Sequence, residues 1–189
     1  HDWDVCTAAK PDEMRRALTG FRLLDTGEKH GTLTAMVHGA PIEITTFRAD
    51  GAYTDHRHPD GVSFVRGLRE DLARRDFTVN AMACHPERGI ADYFGGQEDL
   101  RAGLIRCVGE ADERFNEDGL RILRALRFSS VLGFRIEAET SAAVHALAGN
   151  LRRISAERRA SELCKPLLGD GAARNAACAR RGGNAGRLS

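Results

Sequence analysis

The stretch Asn116-Glu-Asp-Gly-Leu-Arg-Ile-Leu-Arg-Ala-Leu-Arg-Phe128 decides the fold, because the chain changes character there. Apolar residues at 120, 122, 123, 126 and 128 recur at helical spacing, and Gly133 is placed to end the helix. Two more helices are predicted, over Ala138–Leu147 and Ala156–Leu168. Upstream, strand and helix patterns are mixed. Residues 2–9 read as a strand running into a turn, and Pro11 opens a helix with acids in its first turn. Leu33–Val37 and Ile42–Phe47 are rich in Thr, Val, Ile and Phe and flank a turn over 38–41, a hairpin pattern. The polar stretch 49–62 reads as a mobile loop, Leu68–Arg74 as a helix, and Leu104–Val108 as a short element. The expectation is an α+β chain: a mixed or antiparallel sheet with helices over 1–112, an all-helical region over 113–168, and an irregular or disordered tail over 169–189.

Composition sets outer bounds. The chain has 189 residues, 42% of them hydrophobic and 29% charged, which fits a globular protein of one or two domains. A net charge of +1 does not announce a polyanionic partner, but arginines concentrate between Arg101 and Arg159, and a local basic strip can hold one. The five cysteines, Cys6, Cys84, Cys107, Cys164 and Cys178, show no metal-knuckle spacing, so a reduced, cytoplasmic chain is expected. No apolar run is long enough to span a membrane. The chain starts at His1 rather than methionine, and a natural upstream segment is therefore expected.

Four patterns carry chemistry. In Asp2-Trp3-Asp4 a strand puts both carboxylates on one side, where they can share hard divalent cations. A solvated turn carries the same pattern equally well. In Pro41-Ile-Glu-Ile-Thr-Thr-Phe47, Ile42 and Ile44 point one way and Glu43 and Thr45 the other, so Glu43 is a candidate third acid on a neighbouring strand; an ordinary solvent-facing position fits as well. In Arg74-Arg75-Asp76-Phe77, one arginine is expected to pair with Asp76 and the other to meet phosphate.

The opening stretch is the fourth pattern. Asp118 and Arg121 are three apart, neighbours on a helix face, and Arg124 and Arg127 continue the interval. Such a row repels itself unless anions lie against it. Its apolar flanks turn it towards protein or a cleft. An ionised aspartate only accepts hydrogen bonds and an arginine only donates them. Cytosine and adenine present an amino donor beside a ring-nitrogen acceptor, whereas uracil and guanine present a carbonyl beside an N–H. An Asp118–Arg121 pair therefore complements C and A and opposes U and G.

Taken in order, these motifs resemble the family of class II tRNA nucleotidyltransferases and bacterial poly(A) polymerases. The likeness runs through Asp2-Trp-Asp-Val-Cys-Thr-Ala-Ala9, Thr26-Gly-Glu-Lys-His-Gly-Thr-Leu-Thr34, Glu43-Ile-Thr-Thr-Phe-Arg48 and Arg74-Arg-Asp-Phe-Thr-Val-Asn-Ala81. It continues through Asp92-Tyr-Phe-Gly-Gly-Gln-Glu-Asp-Leu100, Glu117 to Phe128, and Ser155-Ala-Glu-Arg-Arg159 with Glu162. The resemblance implies a nucleotidyltransferase palm over 1–112, truncated at its N-terminus, and a helical neck over 113–168. It implies Asp2 and Asp4 as Mg2+ ligands, Glu43 as a further catalytic acid, and Arg75, Asp118, Arg121, Arg124 and Arg127 as nucleotide-binding residues. The implied activity is addition of CCA to the tRNA 3′ end from CTP and ATP, by two-metal attack of the RNA 3′-hydroxyl on the α-phosphate. The alternatives are a bacterial poly(A) polymerase and a non-catalytic nucleotide- or RNA-binding fragment. The family's glycine-rich turn ahead of Asp-x-Asp is not in the chain, so weak nucleotide binding and little or no catalysis are expected of these residues alone.

Overall fold

The computed structural model describes residues 4–51 and 62–164, and they pack as two compact units that divide between Arg74 and Arg75. Most of the loop expected over 49–62, and the whole tail over 169–189, lie outside the described residues.

The first unit is built on strand alternation. Its strands are β1 (Asp4–Thr7), β2 (Arg22–Gly27), β3 (Thr32–Val37) and β4 (Ala40–Thr46), with helix α1 (Pro11–Ala17) between the first two. They form one mixed sheet in the order β1-β4-β3-β2. β1 lies parallel to β4, and the other neighbours are antiparallel. The β3–β4 turn is tighter than the expected four residues. Only His38 and Gly39 remain in it, both at positive φ (50° and 83°), the backbone that a two-residue hairpin requires. α1 begins where Pro11 needs no N–H partner, and Glu13 accepts from the Lys10 N–H at 2.7 Å. Its Met14 is buried, as are Leu33 and Ala35 on β3. β2 is an element that the sequence pattern did not reveal; it is paired to β3 through an irregularity between Leu24 and Gly27. A small antiparallel pair, β5 (Arg48–Asp50) and β6 (Val62–Phe64), and helix α2 (Leu68–Ala73) complete the unit.

The second unit begins with a hairpin, β7 (Met82–His85) and β8 (Gly89–Asp92), followed by helix α3 (Gly96–Ala102) and the short strand β9 (Leu104–Ile105). Helices α4 (Ala111–Glu117) and α5 (Leu120–Leu132), strand β10 (Arg135–Ile136), and helices α6 (Ala138–Ala146) and α7 (Ala156–Cys164) follow. Phe77, Ile105, Cys107, Phe115, Ile122, Ala125, Ala143 and Val144 form its core. Burying each large apolar side chain here stabilises the unit by about 1.5–3 kcal/mol. Phe77 meets Phe128 edge to face, with centroids 5.8 Å apart. α3 can lie this close because Gly96 has no Cβ: one built there would stand 2.3 Å from the Thr78 carbonyl oxygen.

The helical stretch departs from expectation in two places. The helix expected from Asn116 is broken at Asp118, whose backbone is extended (φ −141°, ψ 106°). Its short carboxylate competes with a backbone carbonyl as acceptor for a helix N–H, taking that of Leu120 at 2.9 Å, and so starts α5 afresh. The region is also not wholly helical. β10 pairs parallel with β9, in the register Arg135↔Leu104 and Ile136↔Ile105, and a two-residue strand is too short to show a period in sequence. Gly133 ends α5 as expected, at φ 69°.

Candidate functional site

On β1 and β4 the register sets Asp4 directly opposite Glu43. Residues so paired project from the same face, and both carboxylates are exposed. On the next strand Thr34 is opposite Glu43. Two residues along, the Thr32 and Thr45 hydroxyls lie 3.0 Å apart. This face is thus polar, while the register partners Val5, Ile44 and Leu33 occupy the other. β1 is held at its far end, where Phe47 N–H donates to the Thr7 carbonyl at 2.7 Å and the Thr46 hydroxyl to that of Ala9 at 2.9 Å. Asp2 lies outside the described residues. Among the described residues no three His, Cys, Asp or Glu side chains cluster as metal ligands. Asp4 and Glu43 make a two-carboxylate set of hard oxygen donors, the chemistry a hard divalent cation prefers.

The arginine row lies in the second unit, and protein carboxylates supply the anions it needs. Arg121 is 9% exposed and donates through Nη1 to Glu117 Oε2 at 2.5 Å and to the Arg114 carbonyl at 3.2 Å. Glu117 also meets Arg114 at 2.9 Å. Arg124 Nε donates to Asp76 Oδ2 at 2.6 Å. Arg127 pairs with Glu162 at 3.0 Å. The Arg124 and Arg127 guanidiniums also lie 5.3 Å and 4.4 Å from the centre of the Phe128 ring, within cation–π range. Asp76 is itself fixed, its Oδ1 accepting from Phe77 N–H at 2.9 Å and from Asn80 at 3.3 Å. Arg75, half-buried, directly precedes it. The expectation that Asp76 pairs with an adjacent arginine is corrected: it takes Arg124, while Arg74 takes Asp71 at 3.1 Å.

Asp118 is likewise not the helix-face neighbour of Arg121 that spacing alone implied. Its carboxylate stands between α4 and α5, Oδ1 accepting from Leu120 N–H and Oδ2 meeting Arg158 Nη2 of α7 at 3.3 Å. Asp118, Arg121, Arg124 and Arg127 still share one short segment, and Asp76, the chain neighbour of Arg75, pairs with Arg124. Glu117 and Arg158 were missed as partners. Glu117 is recoverable from its i,i+4 spacing to Arg121. Arg158 is not, because only the packing of α7 on α5 brings it there.

Two further features frame the site. A cleft of about 430 Å³ opens beside Cys107 and Thr140, but Glu110, Asp112, Glu137 and Glu139 line it and no expected site residue does; so many carboxylates disfavour a triphosphate. Burial pushes the Cys107 thiol up to about 12, which keeps it protonated and inert. The turn at Asp92-Tyr-Phe-Gly-Gly96 is organised by Asp92. Burial acts to raise its pKa, but the N–H groups of Gln97, Gly96 and Phe94 outweigh that and hold it below the usual value.

Comparison with known proteins adds the following. Residues 1–106 match the family model "Poly A polymerase head domain", and residues 133–177 match "Probable RNA and SrmB- binding site of polymerase A". The chain is 49% identical over 181 residues to a CCA-adding enzyme of Leuconostoc mesenteroides, covering 96% of this chain and 45% of that protein. It is 50% identical over 172 residues to a CCA-adding enzyme of Geobacillus thermodenitrificans, covering 91% of this chain and 42% of that protein. Among solved structures, the Bacillus stearothermophilus CCA-adding enzyme in complex with CTP superposes with a TM-score of 0.81 at 43% identity, over 93% of this chain and 42% of that one. The Thermotoga maritima CCA-adding enzyme complexed with tRNA gives 0.75 at 28% identity, over 96% and 42%. The chain thus spans less than half the length of each of these relatives. No helix among the described residues is long and apolar enough to cross a membrane.

Proposed function

The chain belongs to the family of the poly(A) polymerase head domain, and we propose that it is the nucleotide-handling part of a tRNA nucleotidyltransferase that adds CCA from CTP and ATP. The observation that carries the proposal is the pairing of Asp4 with Glu43 across adjacent parallel strands, on an exposed polar face. Relatives that share the fold at 43% and 28% identity are described in complex with CTP and with tRNA, which supports the choice of substrates.

In this reading residues 1–112 are the head and 113–168 the neck. Asp2 and Asp4 would hold Mg2+, with Glu43 as a further catalytic acid, and the ion when bound would supply positive charge at the α-phosphate and the departing pyrophosphate. The RNA 3′-oxygen forms the new bond to the α-phosphorus, and the bond from that phosphorus to the bridging oxygen of pyrophosphate breaks. Arg75, Arg124 and Arg127 meet the triphosphate. Asp118 accepts from the exocyclic amino group of cytosine or adenine, and Arg121 donates to the ring nitrogen beside it. Selection then needs no nucleic-acid template. The enzyme works in the cytoplasm.

The test is incorporation by the full-length protein onto a tRNA lacking its 3′ CCA, with CTP alone, ATP alone and both together. The expected products are two added cytidines with CTP alone and a terminal adenosine only when both are supplied. Long adenosine-only tails would assign the poly(A) polymerase activity instead. Nucleotide binding with no incorporation under any of these conditions would leave a binding module.

A further inference from the structure

We propose that Arg158 is a positioning residue for base selection: it holds Oδ2 of Asp118 and so fixes the plane of the carboxylate offered to the base. This rests on the reading of Asp118 given above and extends it to a residue on another helix.

Asp118 is not secured by a helix of its own. Its backbone is extended, between the end of α4 and the start of α5. Two contacts hold its carboxylate at opposite oxygens: Leu120 N–H to Oδ1 at 2.9 Å and Arg158 Nη2 to Oδ2 at 3.3 Å. The first contact alone leaves the group able to swing about Oδ1, and the second removes that freedom. Each carboxylate oxygen has two acceptor sites, so both contacts leave room for an amino donor.

The side chains of Arg158 and Asp118 are 26% and 17% exposed, sheltered enough that salt screens the pair less than it would at an open surface. α7 is in turn fastened to α5 by Glu162, one turn beyond Arg158, through its pair with Arg127. The cation that orients Asp118 is therefore itself held in place. Hydrogen bonding to a base edge is directional. An unfixed carboxylate loses alignment with the amino group of C or A, and it also spends less time opposing the carbonyl of U. Removing Arg158 therefore reduces the preference between bases more than the overall hold on a nucleotide, which the phosphates dominate.

The experiment is equilibrium titration of the full-length protein with CTP and with UTP, for the wild type, Arg158→Ala, Arg158→Met, Arg158→Lys and Arg152→Ala, with circular dichroism as the check on folding. The CTP-over-UTP affinity ratio is expected to fall roughly tenfold in Arg158→Ala. Arg158→Met retains the apolar stem and carries the test if the alanine variant does not fold; its ratio falls similarly. Arg158→Lys recovers part of the ratio, since an ammonium still reaches Oδ2. Arg152→Ala removes an equal charge from a neighbouring segment and leaves the ratio unchanged. A wild-type preference that persists in folded Arg158→Ala or Arg158→Met overturns this proposal and spares the reading of Asp118. A wild type that does not prefer CTP overturns that reading, and this proposal with it.

Discussion

Asp118 shows how much a single side chain decides in this protein. It interrupts a helix, takes the first N–H of the next, and pairs with a distant arginine. Under the proposed function, Asp118→Ala incorporates UTP and GTP at rates closer to those of CTP and ATP, while total incorporation also falls. Primer extension with each nucleotide separately measures this, and unchanged discrimination would rule out the assigned role. Asp92 gives a prediction about stability. Its folded pKa lies below the ordinary value, so its contribution is present above the unfolded carboxylate range, near about 4, and is lost as pH falls through the folded value. Asp92→Ala should therefore lower the thermal midpoint at pH 7, and the gap from wild type should narrow as pH falls below the unfolded carboxylate range. Cys107 is buried and its thiol raised to about 12, whereas Cys84 is exposed. Iodoacetamide at pH 8 should label Cys84 first and Cys107 only on unfolding, as peptide mass mapping would show.

Elements are legible in the sequence where the pattern is local. β1, α1, the β3–β4 hairpin and the end of α5 at Gly133 all follow from alternation, proline or glycine within a few residues. Alternation also places Glu43 and Thr45 on the face opposite Ile42 and Ile44, which is why a neighbourhood with Asp4 can be read in advance. β2 cannot be, because its adjacent Leu23 and Leu24 break alternation and a register irregularity follows them. The partners of the arginine row are equally hidden. Spacing shows that Arg124 needs an anion, but not that Asp76, 48 residues earlier, supplies it. Close packing between elements gives the next prediction. Gly96→Ala drives a Cβ to 2.3 Å from the backbone oxygen of Thr78, a contact that cannot be relieved by turning a side chain. It should destabilise the protein by about 1–3 kcal/mol in urea unfolding, the range for overpacked sites.

For the whole molecule, the net charge is +1, and Glu117, Asp76 and Glu162 match Arg121, Arg124 and Arg127, which under the proposed function takes this row out of indiscriminate contact with RNA. Affinity for tRNA should therefore fall only shallowly with salt, with a log–log slope no steeper than about −3 between 50 and 300 mM KCl. Filter binding measures it, and a slope near −8 would mean that the internal pairs open to the phosphates. The short parallel pairing of β9 with β10 has its own effect on this helix. Parallel neighbours demand a crossover, and here the crossover runs from Arg106 to Phe134 and contains α4 and α5. The crossover is thus stitched down at its two ends to adjoining points, like the strap of a buckle, and the C-terminal end of α5 runs straight into that stitch. Sliding α5 lengthwise would pull directly on that stitch, so the arginine row is anchored along its axis by backbone pairing as well as by its carboxylate partners.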